Sequence, residues 1–232
     1  MQHAYGLEIP LTLSDAADPR TMALLVYDMQ AGVVGQIAGG AEVTRRVADV
    51  LESARSAGVR TFFTRHMSLP NEVAGASALR RAMAWQRVAT AAETRPALLR
   101  GSPGFELVEE LVPRSSEAVI DKIGMSAFVG TPLDIVLRDC GVSALAIAGV
   151  ALEVGIEPTV RHATDLGYLP VLIEDACGAG SPAAAERSLE SLRYAGETVF
   201  TDSAAFGAAL RERSATNGRG PAASAPLSDH TR

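Results

Sequence analysis

Three positions in the chain combine a reactive residue type, or a free backbone, with the end of an apolar run. Asp28 follows the run MALLVY (22–27) and Lys122 closes AVID (118–121). Gly155 opens a helix-like stretch shortly after SALAIAG (143–149). Apolar runs of this length read as buried strands, and open parallel sheets bind ligands beyond the carboxyl ends of their strands. An acid, an ammonium group and a helix N-terminus would then share one edge, a combination suited to proton transfer and to stabilising developing negative charge. Lys122 is singled out a second way: of the 21 basic residues it is the one lysine, the others being arginine. A compact ammonium on a flexible stem suits a tight site that a planar guanidinium does not fit. The bland alternatives are a surface lysine and an aspartate that merely caps a turn.

Further candidates lie around these three. Arg65 and His66 end the second run, and a guanidinium there would suit bidentate recognition of a substrate carboxylate; a rim salt bridge is the competing reading. Gln30, two residues after Asp28, and Phe128, in the MSAF segment after Lys122, are expected to border the pocket. Trp85 is the only tryptophan; it would wall an apolar part of the substrate or anchor a lid or subunit contact. Arg80, Arg81 and Arg87 accompany it on one helix-like stretch and read as a solvated face. Glu153 and His162 read as structural. Cys140 and Cys177 have no paired spacing and form neither a disulfide framework nor a zinc site.

The elements that must position these residues follow from the pattern. Six runs read as strands: 22–27, 59–63, 118–121, 143–149, 169–174 and 198–201. Several are apolar throughout, which argues for a sheet covered on both faces. Between them lie helix-like stretches bounded by capping signals. TPLDIVLRDCG and SPAAAERSLESLRYAG each begin with Thr-Pro or Ser-Pro and end with Gly. The alternation predicts an α/β fold, a doubly wound and mostly parallel six-stranded sheet. Residues 64–104 exceed what a bare crossover needs and are expected to form a lid or wall over the site. Residues 1–20 read as an irregular lead-in, 21–212 as the domain, and 213–232 as a disordered tail rich in small, polar, Pro and Gly residues.

Composition narrows the function classes. The 232 residues are 47% hydrophobic and 21% charged with formal net charge -6, so no basic field would hold nucleic acid or an anionic membrane. The longest uncharged central run, Val142 to Leu152, is too short to span a bilayer. The N-terminal residues lack the pattern of a secretory signal, and a cytoplasmic location is expected.

Taken in order, DMQ after the first strand, DK followed by MSAF after the third, and GVALEVGIEPTVRHATDLGY after the fourth resemble the isochorismatase-like hydrolases over roughly Thr21 to Leu210. The resemblance implies a Rossmann-like three-layer α/β/α sandwich. It matches Asp28 and Lys122 to the family's acid/base and lysine. It places Gly155 where the amide-cleaving members carry a nucleophilic cysteine, so a hollow is expected there. It also implies a cis peptide at Val150–Ala151, with both residues bordering the substrate and the Ala151 and Gly155 backbone forming an anion hole. Gly at that position is found in the branch that hydrolyses vinyl ethers. The expected function is accordingly a hydrolase without metal, organic cofactor or thiol, cleaving an enol-ether bond of a small carboxylated substrate, with Asp28 as general acid. After the second strand this chain has Arg65-His66-Met67 where that branch favours Gln-Pro-Gly. The zinc ligands of the amidase branch are represented only by His66. Two alternatives stand beside it: hydrolysis of an amide or ureide C–N bond by directly activated water, and a catalytically inactive binding or scaffold relic. Family members commonly assemble, so a homo-oligomer (dimer or tetramer) is expected.

Overall fold

The computed structural model describes residues 1–217. Six strands form one wholly parallel sheet: β3 (Met22–Tyr27), β4 (Arg60–His66), β5 (Ala118–Lys122), β6 (Ala144–Val150), β7 (Leu169–Gly178) and β8 (Val199–Thr201). Two short antiparallel strands, β1 (Gln2–Ala4) and β2 (Leu7–Ile9), precede them. The helices are α1 (Leu13–Ala16), α2 (Ala31–Val34), α3 (Gly40–Ala57), α4 (Ala76–Gln86), α5 (Leu133–Asp139), α6 (Glu157–Asp165), α7 (Pro182–Ala195) and α8 (Ser203–Asn217). The predicted α/β sandwich is therefore present, with the six predicted runs as its six strands.

Alternation along the central strand divides the core into two layers. Leu24 and Val26 face one side, where they join Val47, Val50 and Leu51 of α3 and Phe206 and Leu210 of α8. Leu25 and Tyr27 face the other, with Leu133 and Leu137 of α5, Val160 of α6 and Leu192 of α7. Both faces are covered, which is why β3 and β6 are apolar throughout. Phe206 and Leu210 are fully buried and hold α8 down, at about 2 kcal/mol each.

The sheet order is β5-β4-β3-β6-β7-β8. The chain winds outward through β3, β4 and β5, then returns to lay β6 against the other side of β3. That reversal sends the connections after β3 and β6 apart and makes their ends the switch point, the usual ligand position of such sheets. Asp28 stands at one side of this point and Ala151 at the other.

Three expectations need correction. Residues 1–20 are not wholly irregular: Tyr5 and Gly6 both take positive φ (53° and 79°) and close a two-residue hairpin turn, and Thr12 caps α1 with Asp15 returning the bond. The tail does not start at 213, because α8 continues to Asn217; small polar residues there do not prevent helix once Phe206 and Leu210 have anchored the preceding turns. The rest of the expected tail lies outside the described residues. The long excursion after β4 does contain the predicted helix, α4, but none of its residues is buried. Its neighbour segment does the packing instead, through Leu98 and the fully buried Phe105.

Gly149 shows how tightly the switch point is built. It pairs with Tyr27 across β3 and β6 and has φ 136°. A Cβ there would stand 2.8 Å from both the Tyr27 carbonyl carbon and nitrogen. We expect Gly149→Ala to cost about 3 kcal/mol through overpacking and backbone strain, a fall of about 10 °C in Tm measurable by thermal denaturation. An unchanged Tm would mean that the two strand ends are not in this contact.

Candidate active site

The site is made from the ends of three adjacent strands. β3 delivers Tyr27 and Asp28, β4 delivers Thr64 and His66, and β5 delivers Lys122. His66 pairs with Lys122 in the register of β4 and β5. Asp28 leaves β3 with φ 47°, a left-handed conformation uncommon outside glycine but better tolerated by aspartate than by most residues. Its N–H donates to the Thr64 carbonyl at 3.2 Å, which fixes the turn against β4.

Lys122 reaches across β4 to this turn. Its Nζ donates to Asp28 Oδ2 at 2.7 Å, to the Tyr27 hydroxyl at 2.8 Å and, more weakly, to the Gly124 carbonyl at 3.3 Å. Nζ also lies 4.3 Å from the centre of the Tyr27 ring. The other Asp28 oxygen, Oδ1, accepts from the Thr64 hydroxyl at 2.7 Å. Tyr27 donates in turn to the Met125 carbonyl. Lys122 is only 2% exposed and Asp28 5%. Burial pushes the Lys122 ammonium below its ordinary range, opposed by the Asp28 charge beside it. Burial, reinforced by the same carboxylate, pushes the Tyr27 phenol well above 10. Tyr27 therefore stays protonated, and each Asp28 oxygen, accepting one hydrogen bond, keeps a lone pair free.

Gly155 faces the same group from the other side of the switch point. Val150–Ala151 is a cis peptide, at the bond where the resemblance places one. A wide turn, Leu152–Ile156, then leads into α6. The space before Gly155 is not hollow, however. A Cβ on this residue would stand 2.5 Å from Tyr27 Cζ and 2.7 Å from Cε1, and nearer still to the hydroxyl. The expected anion hole is not free either: the Gly155 N–H donates to the Ala151 carbonyl at 3.0 Å, because the wide turn directs three successive amides onto that one oxygen.

The predicted site residues thus divide. Asp28, Lys122 and Gly155 come together, and His66 joins them, with its Nδ1 buried and without a hydrogen-bond partner. Arg65 does not: alternation sends it to the opposite face from Thr64 and His66, where Asp121 (2.8 Å) and Glu106 (3.0 Å) hold it over the Phe105 ring. Gln30 is a brace and not a substrate ligand. It is fully buried, accepting from the His66 N–H at 2.7 Å and donating to the carbonyls of His66 (3.0 Å) and Phe105 (2.8 Å). Phe128 packs in the core on Tyr168 and His162, and Val150 in the opposite core layer against Gly178. Trp85 is 59% exposed, with Arg81 over its ring, and walls nothing. Ala151 contributes its carbonyl, as acceptor.

Tyr27 and Thr64 were missed. Tyr27 is the one residue with a polar tip in an otherwise aliphatic strand, and Thr64 shares the face of His66 by simple alternation; both signals were present. Among the described residues, no three His, Cys, Asp or Glu side chains gather to hold a metal ion, and no helix is long and apolar enough to cross a membrane.

A ureidoacrylate amidohydrolase RutB from Caulobacter vibrioides is 31% identical over 180 residues, covering 71% of this chain and 80% of the relative. Its counterpart from Methylorubrum extorquens is 30% identical over 214 residues, covering 84% and 85%. The fold is similar to that of a cysteine hydrolase from Pseudomonas syringae pv. phaseolicola (TM-score 0.73, 25% identity, 85% and 96% covered). It is also similar to an isochorismatase family protein from Desulfovibrio vulgaris (TM-score 0.67, 28% identity, 86% and 100% covered). The family model of the isochorismatase domain matches residues 22–204, and with the parallel sheet and the Asp28–Lys122 pair at its switch point, the chain belongs to the isochorismatase family of hydrolases.

Proposed function

We propose that this chain hydrolyses a C–N bond in a small ureide or amide, with Asp28 as general base toward water. One observation carries the reading: both Asp28 oxygens accept hydrogen bonds, from Lys122 and from Thr64, a set of donor partners that suits a group taking a proton from water and not one giving its proton away. A vinyl-ether hydrolase would need the same residue to arrive protonated and give its proton to carbon. The RutB relatives, named for an amidohydrolase reaction, point the same way. Residue 155 is glycine, at the position where the family resemblance puts a thiol, so the nucleophile is water and not a side chain.

Asp28 takes a proton from water as the water oxygen bonds to the carbonyl carbon, and the carbonyl electron pair moves to oxygen. Lys122 stabilises that oxygen by exchanging its weak 3.3 Å bond to the Gly124 carbonyl for one to the substrate. The C–N bond then breaks, its electron pair returning to nitrogen, which takes the proton from Asp28. The acid and the amine or ammonia leave. The unpartnered Nδ1 of His66 is a ready contact for a substrate group.

Three outcomes separate the readings. Ammonia release from ureidoacrylate or simple carbamoyl compounds is expected. Turnover of a vinyl ether without C–N cleavage would reinstate the enol-ether chemistry. Tight binding across a broad panel without turnover would assign a binding role. Asp28→Asn should lower kcat/KM at least ~100-fold, and Lys122→Met should do the same while losing about 3 kcal/mol of stability, because it strands a buried carboxylate. Activity within tenfold of wild type in both would overturn the assigned roles.

The neutral state of His66 has its own signature. Burial, and then the Lys122 charge, hold its pKa at about 4 against an ordinary 6.5. Between these values the unfolded chain binds the proton and the folded one does not, so stability falls as pH drops from 6.5 to 4, by about 3 kcal/mol in all. Denaturant titrations across this window should show that slope, flattened in His66→Gln. An equal slope in the variant would place the titrating group elsewhere.

A further inference from the structure

The Asp28–Lys122 pair is hydrogen-bonded on every side by groups of the chain itself, and one of these groups stands out by its chemistry. The Tyr27 phenol is the largest side chain at the switch point and is 1% exposed. It touches the lysine with both its hydroxyl and its ring, donates to the Met125 carbonyl, and fills the ground directly before Gly155. Its neighbours in β3 show that nothing in the strand requires an aromatic residue there, since Leu25 occupies the same face two residues earlier. No smaller side chain at 27 would both close that ground and give Lys122 a second fixed acceptor.

We propose that Tyr27 is the positioning residue that makes this a site without a side-chain nucleophile. The ring denies residue 155 any side chain, and the hydroxyl orients the Lys122 ammonium between the phenol and Asp28. Removing the hydroxyl alone does not open the space, because Cζ and Cε1 would remain within 2.7 Å of a Cβ at 155. Tyr27 and Gly155 are therefore a matched pair: the second can carry a side chain only if the first is small. This rests on reading the Asp28–Lys122 pair as the reactive centre, and it deepens that reading by stating why water, and no residue of the chain, faces the pair.

The test uses a thiol as a reporter of space and field, and so needs no substrate. In a background with Cys140 and Cys177 changed to Ser and Ala, three variants of the full chain are compared: Gly155→Cys, Gly155→Cys with Tyr27→Phe, and Gly155→Cys with Tyr27→Val. Thermal denaturation and the pH dependence of iodoacetamide alkylation are measured on each. The single variant and the Phe double variant should each lose roughly 10 °C in Tm. The Val double variant should recover most of that loss and present a thiol beside Lys122 that alkylates at least ~10-fold faster at pH 6.5 than free cysteine, as a thiolate stabilised by a neighbouring ammonium does. A Gly155→Cys single variant with wild-type Tm and a reactive thiol would overturn the proposal, since Tyr27 would not then hold that ground. A Val double variant whose thiol titrates like free cysteine would equally overturn it, since Lys122 would not face the place. In the otherwise wild-type chain, Tyr27→Phe should lower kcat ~10-fold or more with KM little changed, reporting a misdirected ammonium. A drop in KM-linked binding alone would contradict the orienting role. Failure to find any turnover leaves the thiol readouts intact, so loss of the C–N reading and loss of this one are told apart.

Discussion

The structure around the switch point is organised by one requirement: an ammonium and a carboxylate taken out of water must be paired and hydrogen-bonded, or the fold does not tolerate them. Lys122 and Asp28 are nearly inaccessible, and each is surrounded by groups that satisfy its remaining valences: the Tyr27 hydroxyl and the Gly124 carbonyl for the cation, the Thr64 hydroxyl for the anion. These partners come from three consecutive strands of the sheet, and their parallel register is what brings them level. A slip of one residue in β4 would turn Thr64 and His66 away and present Arg65 in their place. The pairing of β4 with β5 thus fixes the electrostatics of the site as firmly as the charged residues do.

The neighbouring charges are kept from interfering by the same alternation. Asp121 and Lys122 are adjacent in β5 but point to opposite faces. Asp121 is neutralised by Arg65 and Arg100 on its own side. Lys122 consequently has Asp28 as its one carboxylate partner among the described residues, and the pair behaves as a closed unit. Within it, the aromatic ring of Tyr27 adds a polarisable surface to the cation without adding a charge.

Much of this was legible from residue types alone. The strands were readable because both faces of the sheet are covered, so each strand is a continuous apolar run. Asp28 and Lys122 stand out because an acid and an ammonium group close runs that share one sheet edge, and because lysine is otherwise absent. Arg65, Gln30, Phe128 and Val150 were misjudged for a common reason: nearness to a strand end in sequence does not say which face a side chain takes, nor whether the backbone nearby needs it. Arg65 was claimed by the charge of Asp121, Gln30 by three backbone groups, and the two apolar residues by the core layers behind the site. Trp85 was misjudged because α4 is amphipathic without being buried. Tyr27 shows its polar tip in the sequence, but not the partners that catch its hydroxyl, Lys122 and Met125, which lie roughly a hundred residues further along.

The brace made by Gln30 carries one more implication. An amide offers both an acceptor and donors, so a single uncharged group can stitch the His66 peptide to the Phe105 peptide from between them. A glutamate of the same shape would supply acceptors only, leaving two main-chain oxygens facing it unanswered, and would set another anion near Asp28. The neutrality of residue 30 thereby spares the Asp28–Lys122 pair a competing charge: mechanical stiffness is delivered to the switch point by a group that carries none.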